Sequence, residues 1–155
     1  MTKYKSRVLF DSGFSLLALV ILIDFSFPGY TTHDQIIVIQ KKRQEHYNPS
    51  KNFHYSYKAI AGKNKFSIDE RFAKLVKAGD KIDYCISKIY KKVNWYKLSG
   101  SQKKSYYALR IISGFVLPLI ALFVIVMVWR FQWKAEIFVF VLKTLLLADL
   151  IYLQI

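Results

Sequence analysis

Hydrophobic positions are unevenly spread along this chain. They gather into long runs near both ends and into short alternating runs in the middle. Val8 to Phe27 is predominantly apolar, and its twenty residues would make a helix of about 30 Å, the depth of a bilayer's hydrocarbon core. Lys3, Lys5 and Arg7 lead into it. A secretory signal has the same layout. However, Asp24-Phe25-Ser26-Phe27-Pro28-Gly29 lacks the paired small residues of a cleavage site, so an uncleaved anchor is expected. Ala108 to Trp129 is the clearest span: Leu117 to Val128 holds no charge, and Pro118 predicts a kink. Ala135 to Ile155 reads as a third span, interrupted by Glu136, Lys143 and Asp149.

Between the first two spans the period drops to two. Ile36 to Ile39 is a β-branched run, and Phe53, Tyr55 and Tyr57 alternate with His54, Ser56 and Lys58. Gly62-Lys63-Asn64 predicts a turn and Lys65 to Ile68 a returning strand. Asp69 is placed to cap a short helix carrying Phe72, Leu75 and Val76 on one face, ended by Gly79. Ile82 to Ile86 and Val93 to Leu98 read as further strands. The expected core is Ile36, Val38, Phe53, Tyr55, Phe66, Ile68, Phe72, Leu75, Ile82, Tyr84, Ile86 and Trp95.

The fold class is therefore a membrane protein of α+β type. Three transmembrane helices carry a small, mainly-β domain, a sheet or partly open barrel, inserted between helices 1 and 2. The segments are a cytoplasmic tail (1–7), helix 1 (8–28), a basic β-rich domain (30–107), helix 2 (108–129), a short cytoplasmic turn (130–134) and helix 3 (135–155). Charge bears on the sidedness. The chain has 155 residues, with 24 Lys and Arg against 10 Asp and Glu. The tail and the Arg130–Lys134 turn are basic without an acid, so the positive-inside rule puts both in the cytoplasm. The middle domain holds 17 of the 24 basic residues, which pulls the other way. Long domains translocate largely regardless of charge, so an inner-membrane, multi-pass protein with an extracytoplasmic domain is expected.

Candidate chemistry changes this picture little. No nucleotide-binding or hydrolase motif is present. His33, His46 and His54 do not have metal-ligand spacing, and Cys85 is the only cysteine. No enzyme activity, metal or cofactor is expected. Charges inside the spans are the sharper signal, because an ion in hydrocarbon is costly. At 1.5 Å per residue Asp24 and Asp149 lie about 24 and about 22 Å from the cytoplasmic face. Arg110 starts the second span at a similar level, so the three are expected to meet and bind the helices together. Lys143 lies deeper and shares a helix face with Glu136, which leaves snorkelling, a subunit contact or an ion path open.

A second candidate is a basic, aromatic face for anionic ligands: Lys41, Lys42, Arg43, Lys88, Lys91, Lys92, Trp95 and Lys97. The expected function is a non-enzymatic, membrane-anchored binding or assembly module contacting an anionic surface or an envelope protein complex. Expected partners are the bilayer, another membrane protein or a second copy, and an anionic lipid or polymer; nucleic acid is not among them. The alternatives are a transport or channel subunit using Asp24, Lys143 and Asp149, and an immunity-type membrane protein.

Overall fold

The computed structural model describes the backbone of residues 2–27, 29–45, 53–131 and 136–154, and the side chains of 8–27, 29–43, 55–131 and 136–154. The elements in order are α1 (Thr2–Ser26), β1 (Tyr30–Glu45), β2 (Phe53–Ala61), β3 (Asn64–Ile68), α2 (Glu70–Leu75), β4 (Lys81–Ile86), β5 (Val93–Leu98), α3 (Ala108–Ile111), a π-helical turn (Ile112–Val116), α4 (Leu117–Phe131) and α5 (Glu136–Gln154). The chain divides into a helical unit and a sheet unit, the latter running from Gly29 to Ala108. Pro28, His46 and Gln132 to Ala135 lie outside the described residues, as do the side chains of Phe53 and His54.

The sheet unit is a curled, five-stranded antiparallel half-barrel in the order β3-β2-β1-β4-β5. β1 is long because its halves serve different neighbours. Tyr30 to Gln35 pair with β4, and Ile36 to Glu45 pair with β2. Asp69 caps α2 by accepting a 2.8 Å hydrogen bond from the Phe72 amide. Phe66, Phe72, Tyr84 and Tyr96 form the aromatic centre, with Ile36, Ala59, Ala61, Ile68, Val76 and Ile82 around it. Both phenols are tied down. Tyr84 donates to Asp34 at 2.5 Å and accepts from Asn64 at 2.8 Å, while Tyr96 accepts from the Asp69 amide at 2.8 Å. Burial and the bond to Asp34 push the Tyr84 phenol up to about 12, so it remains a donor at neutral pH.

Four expected core positions are corrected. Val38 is exposed because the register slips between Ile36 and Val38: Ile37 is an extra residue, and Ile39 takes the inward place. Tyr55 is on the inward-facing side but beyond the end of β3, whose pairing stops at Tyr57, so it stays 40% exposed with only the Lys41 ammonium over its ring among the described contacts. Leu75 is 72% exposed; the chain turns extended at Val76, which enters the core instead. Trp95 is only half-buried, because Tyr84 pairs with Tyr96 and those two share the inner side.

The helical unit has the reverse polarity of a soluble bundle. Ala18, Ile21 and Asp24 of α1 are buried, as are Pro118, Ala121, Ile125 and Val128 of α4, and Val139, Leu142, Leu146, Asp149 and Leu153 of α5. These spacings of three and four make one seam per helix. The outward positions are large and apolar: Leu16, Ile23, Phe123, Val126, Phe140 and Ile151 are all exposed. Val8–Ser26 and Ala108–Phe131 are long and apolar enough to cross a membrane. The irregularity near Pro118 takes the form of a π turn directly before it, closed by the Leu117 amide bonding to the Ile112 carbonyl. A proline ring clashes with the carbonyl four residues back, and a wider turn relieves that crowding.

Tyr84→Phe leaves Asp34 and Asn64 without their shared partner and should cost on the order of 1–3 kcal/mol in thermal denaturation. For the pH dependence, Asp83 is buried and receives a hydrogen bond from His33 at 2.7 Å, with Lys97 at 3.5 Å. The His33 bond above all holds the Asp83 carboxyl below its ordinary value. A lowered folded pKa stabilises above the unfolded carboxylate range, about 4, and that contribution is lost as the pH falls through the folded value. Trp95 emission with Trp129 and Trp133 replaced by Phe should therefore show stability falling on acidification. Asp83→Asn should flatten that fall, and an unchanged slope would refute the assignment.

Candidate functional site

Charge is concentrated inside the helical unit at one end of its apolar seams. Asp24 continues the buried stripe of α1 by one turn beyond Ile21. Asp149 stands one turn beyond Leu146 on α5. Arg110, in the first turn of the second long helix, lies opposite Asp24, with Nη2 to Oδ2 at 3.5 Å. Their side chains are only 4% and 0% exposed, so neither charge is met by bulk water. The Arg110 guanidinium also sits 5.4 Å over the Phe25 ring, and Tyr152 and Asp149 are near enough to interact with it electrostatically.

The π turn shapes this place. It carries Ser113 and Gly114, both buried. A Cβ on Gly114 would fall 2.4 Å from Phe25 Cδ2, so only glycine lets the two helices approach this closely. Ser113 lies beside Asp149. Nevertheless Ser113 Oγ and Asp149 Oδ2 make no hydrogen bond of ordinary geometry among the described residues, although both are buried. Asp24, Arg110 and Asp149 thus come together, as three positions remote in sequence. Ser113 and Gly114 were not singled out by sequence; their only signal was the proximity of Pro118.

Lys143 is placed differently. Its ammonium pairs with the Asp11 carboxylate of α1, and lies 5.5 Å over the Phe14 ring. Asp11 lies about 20 Å along α1 from Asp24, whereas Lys143 lies only about 9 Å along α5 from Asp149. The long lysine stem, leaning toward the N-terminus of α5, takes up part of that difference. Asp11 was overlooked within an apolar run, yet a lone acid there is the expected counter-ion of a lone lysine. Glu136 is exposed and two turns away.

Comparison with protein families, with curated proteins and with solved structures returns no match for this chain. Its own geometry is therefore the only guide to its role.

The basic aromatic face divides in two. Lys41, Lys42 and Arg43 stand on the half of β1 that pairs with β2, opposite Tyr57, Ser56 and Tyr55. Lys41 lies 3.9 Å over the Tyr55 ring. Lys88, Lys91 and Lys92 stand in the β4–β5 loop, beside the start of β1. Eleven residues of strand, about 35 Å of contour, separate Lys41 from Tyr30. The eight residues therefore do not form one surface. Lys97 is partly shielded and bound to Asp83, and Trp95 is covered by Lys104 at 4.4 Å. No group of three His, Cys, Asp or Glu among the described residues is arranged to hold a metal.

Removing one partner of the outlying pair should be costly and removing both should not. Lys143→Met is expected to cost on the order of 1–2 kcal/mol in detergent, with most of it recovered on adding Asp11→Asn. Equal losses in the single and double variants would break the pairing. Gly114→Ala should destabilise by about 1–3 kcal/mol through overpacking, and Phe25→Leu should relieve it.

Proposed function

We propose that this chain is a non-enzymatic, membrane-anchored binding or assembly module. Its three helices form the anchor, with α5 as the third crossing, and the basic sheet unit is the part presented to an anionic surface or an envelope protein complex. The observation that carries this reading is the distribution of charge. In the helical unit the ions along the helices find partners within the chain, as Arg110 does with Asp24 and Lys143 with Asp11, while Arg130 and Glu136 at the helix ends are exposed. The exterior is apolar, which suits lipid and would be a liability in water. An anchor needs no more than that. The sheet unit, by contrast, carries Lys41, Lys42, Lys88 and Lys91 on its exposed surface.

A second reading, a transport or channel subunit, has one observation in its favour: Ser113 Oγ and Asp149 Oδ2 are buried side by side with no hydrogen bond of ordinary geometry among the described residues. Polar atoms left so in a membrane interior are where a migrating proton or ion would pause. Full-length chain in vesicles is expected to leave an imposed pH gradient intact. A gradient that collapses with the native chain and survives with Asp149→Asn would transfer the assignment to transport.

For topology the proposal is an extracytoplasmic sheet unit. With Cys85→Ala as background, single cysteines at Gln102 and Gln132 are labelled in intact cells by a membrane-impermeant thiol reagent. Gln102→Cys should react and Gln132→Cys should not; the reverse would invert the proposed orientation.

A further inference from the structure

Both junctions through which the chain enters and leaves the sheet unit lie at one end of it. At the entry, Gly29 is pressed against Ile86 and Ser87, where a Cβ would fall 1.8 Å from the Ile86 carbonyl oxygen, and Tyr30 pairs with Ile86. At the exit, β5 runs away from that end, and the chain turns at Ser99-Gly100 and doubles back. Ser105 then bridges Tyr96 in antiparallel fashion through two hydrogen bonds of 2.8 and 3.0 Å. Tyr106 to Ala108 thereby return toward Val93, which pairs with Ile86.

The loop from Ser87 to Lys92 occupies this same end. It is a closed structure: the Ser87 amide donates to the Lys92 carbonyl at 2.8 Å, and the Lys92 amide donates to Ser87 Oγ at 3.2 Å. Lys91 takes the left-handed conformation, φ 56°, and its ammonium stands 5.4 Å over the Tyr30 ring. Ile89 is 54% exposed and Tyr30 61%. Residues 29–32, 86–94 and 103–108 include no Asp or Glu, so the whole end has one sign of charge. Lysines around an exposed aliphatic and tyrosines make the side-chain set of a bilayer interface: ammonium groups for phosphate, aromatic rings for the headgroup level, and an apolar tip for the acyl boundary.

We propose that the Ser87–Lys92 loop docks on the anionic phospholipid headgroups of the bilayer that holds the helices. Lys88, Lys91 and Lys92 contact phosphate, and Ile89 with Tyr30 enters the interface. This rests on the membrane-anchored reading and names the anionic surface for this end of the sheet. Lys41 to Arg43, some eleven residues further along β1, remain for a different contact.

The test uses full-length chain with Cys85→Ala and Ile89→Cys carrying an environment-sensitive dye, reconstituted into phosphatidylcholine vesicles with or without phosphatidylglycerol. Headgroup-spin-labelled lipid should quench the dye strongly with phosphatidylglycerol and weakly without it. Raised salt should reverse the difference, since it screens beyond a few ångströms. Each of Lys88→Gln, Lys91→Gln and Lys92→Gln should weaken docking on the order of fivefold. Quenching that is independent of phosphatidylglycerol, in a chain that resists alkaline extraction from the vesicles, would overturn the loop proposal alone. Extraction of the chain by alkali would overturn the anchored reading, and the loop proposal with it.

Discussion

A guanidinium with almost no access to water sets the terms for the helical unit. Arg110 cannot lose its charge, and moving an unpaired ion of its size into a low-dielectric interior costs several kcal/mol even after relaxation. The cost is offset by Asp24 directly opposite, by the face of Phe25, and by the nearby Asp149. Each of these comes from a different helix than Arg110. Their positions hold only if α1, the π-turned second helix and α5 meet in one register. An apolar seam alone would tolerate sliding by a turn, since one Leu or Ile replaces another with small loss. An ion pair does not, because a slip leaves two charges buried and alone. The same logic applies further along at Lys143 and Asp11.

The sheet unit is held on different terms. Its strands close around four aromatic rings, and the hydroxyls of Tyr84 and Tyr96 act as fixed posts. Tyr84 links β4 to Asp34 on β1 and to Asn64 at the head of β3. Gly62, at φ +54°, has the Asp34 carboxylate where a Cβ would stand. The turn between β2 and β3 is therefore clamped from inside the curl. That clamp and the pairing of β1 with two strands in succession hold the strand order of the curled sheet, and Lys41, paired with Tyr57 and lying over Tyr55, stands on the inward-facing side beyond the closed part of the curl.

Much of this was legible in the sequence, for definite reasons. Alternation, a β-branched run and a turn signal between them pointed to the strands, the turn itself is Gly62-Lys63 with Asn64 already opening β3, and Asp69 caps α2 as its position before an apolar helical pattern implied. The meeting of Asp24, Arg110 and Asp149 could be read from equal depths along helices of known rise. What failed depended on single-residue slips and on reach. An extra residue at Ile37 reversed the face of Val38, and nothing in a run of four β-branched residues announces which one is extra. Trp95 and Tyr96 are equally apolar, and only pairing with Tyr84 decides which faces inward. The eight basic and aromatic residues divide because the length of β1 carries Lys41 far from the loop that holds Lys91, and residue type alone does not show that separation. Asp11 was hidden in an apolar run, although Lys143 required a counter-ion.

The central claim is that Asp24 and Arg110 act as one unit in joining the helices, and a double-mutant cycle tests it most directly. Unfolding free energies of the full chain in detergent would be measured for Asp24→Asn, Arg110→Met and the combined variant. A coupling on the order of 3 kcal/mol is expected, with the double variant far less destabilised than the sum of the singles. Additivity within about 0.5 kcal/mol would contradict it, and would mean that each charge finds its solvation separately.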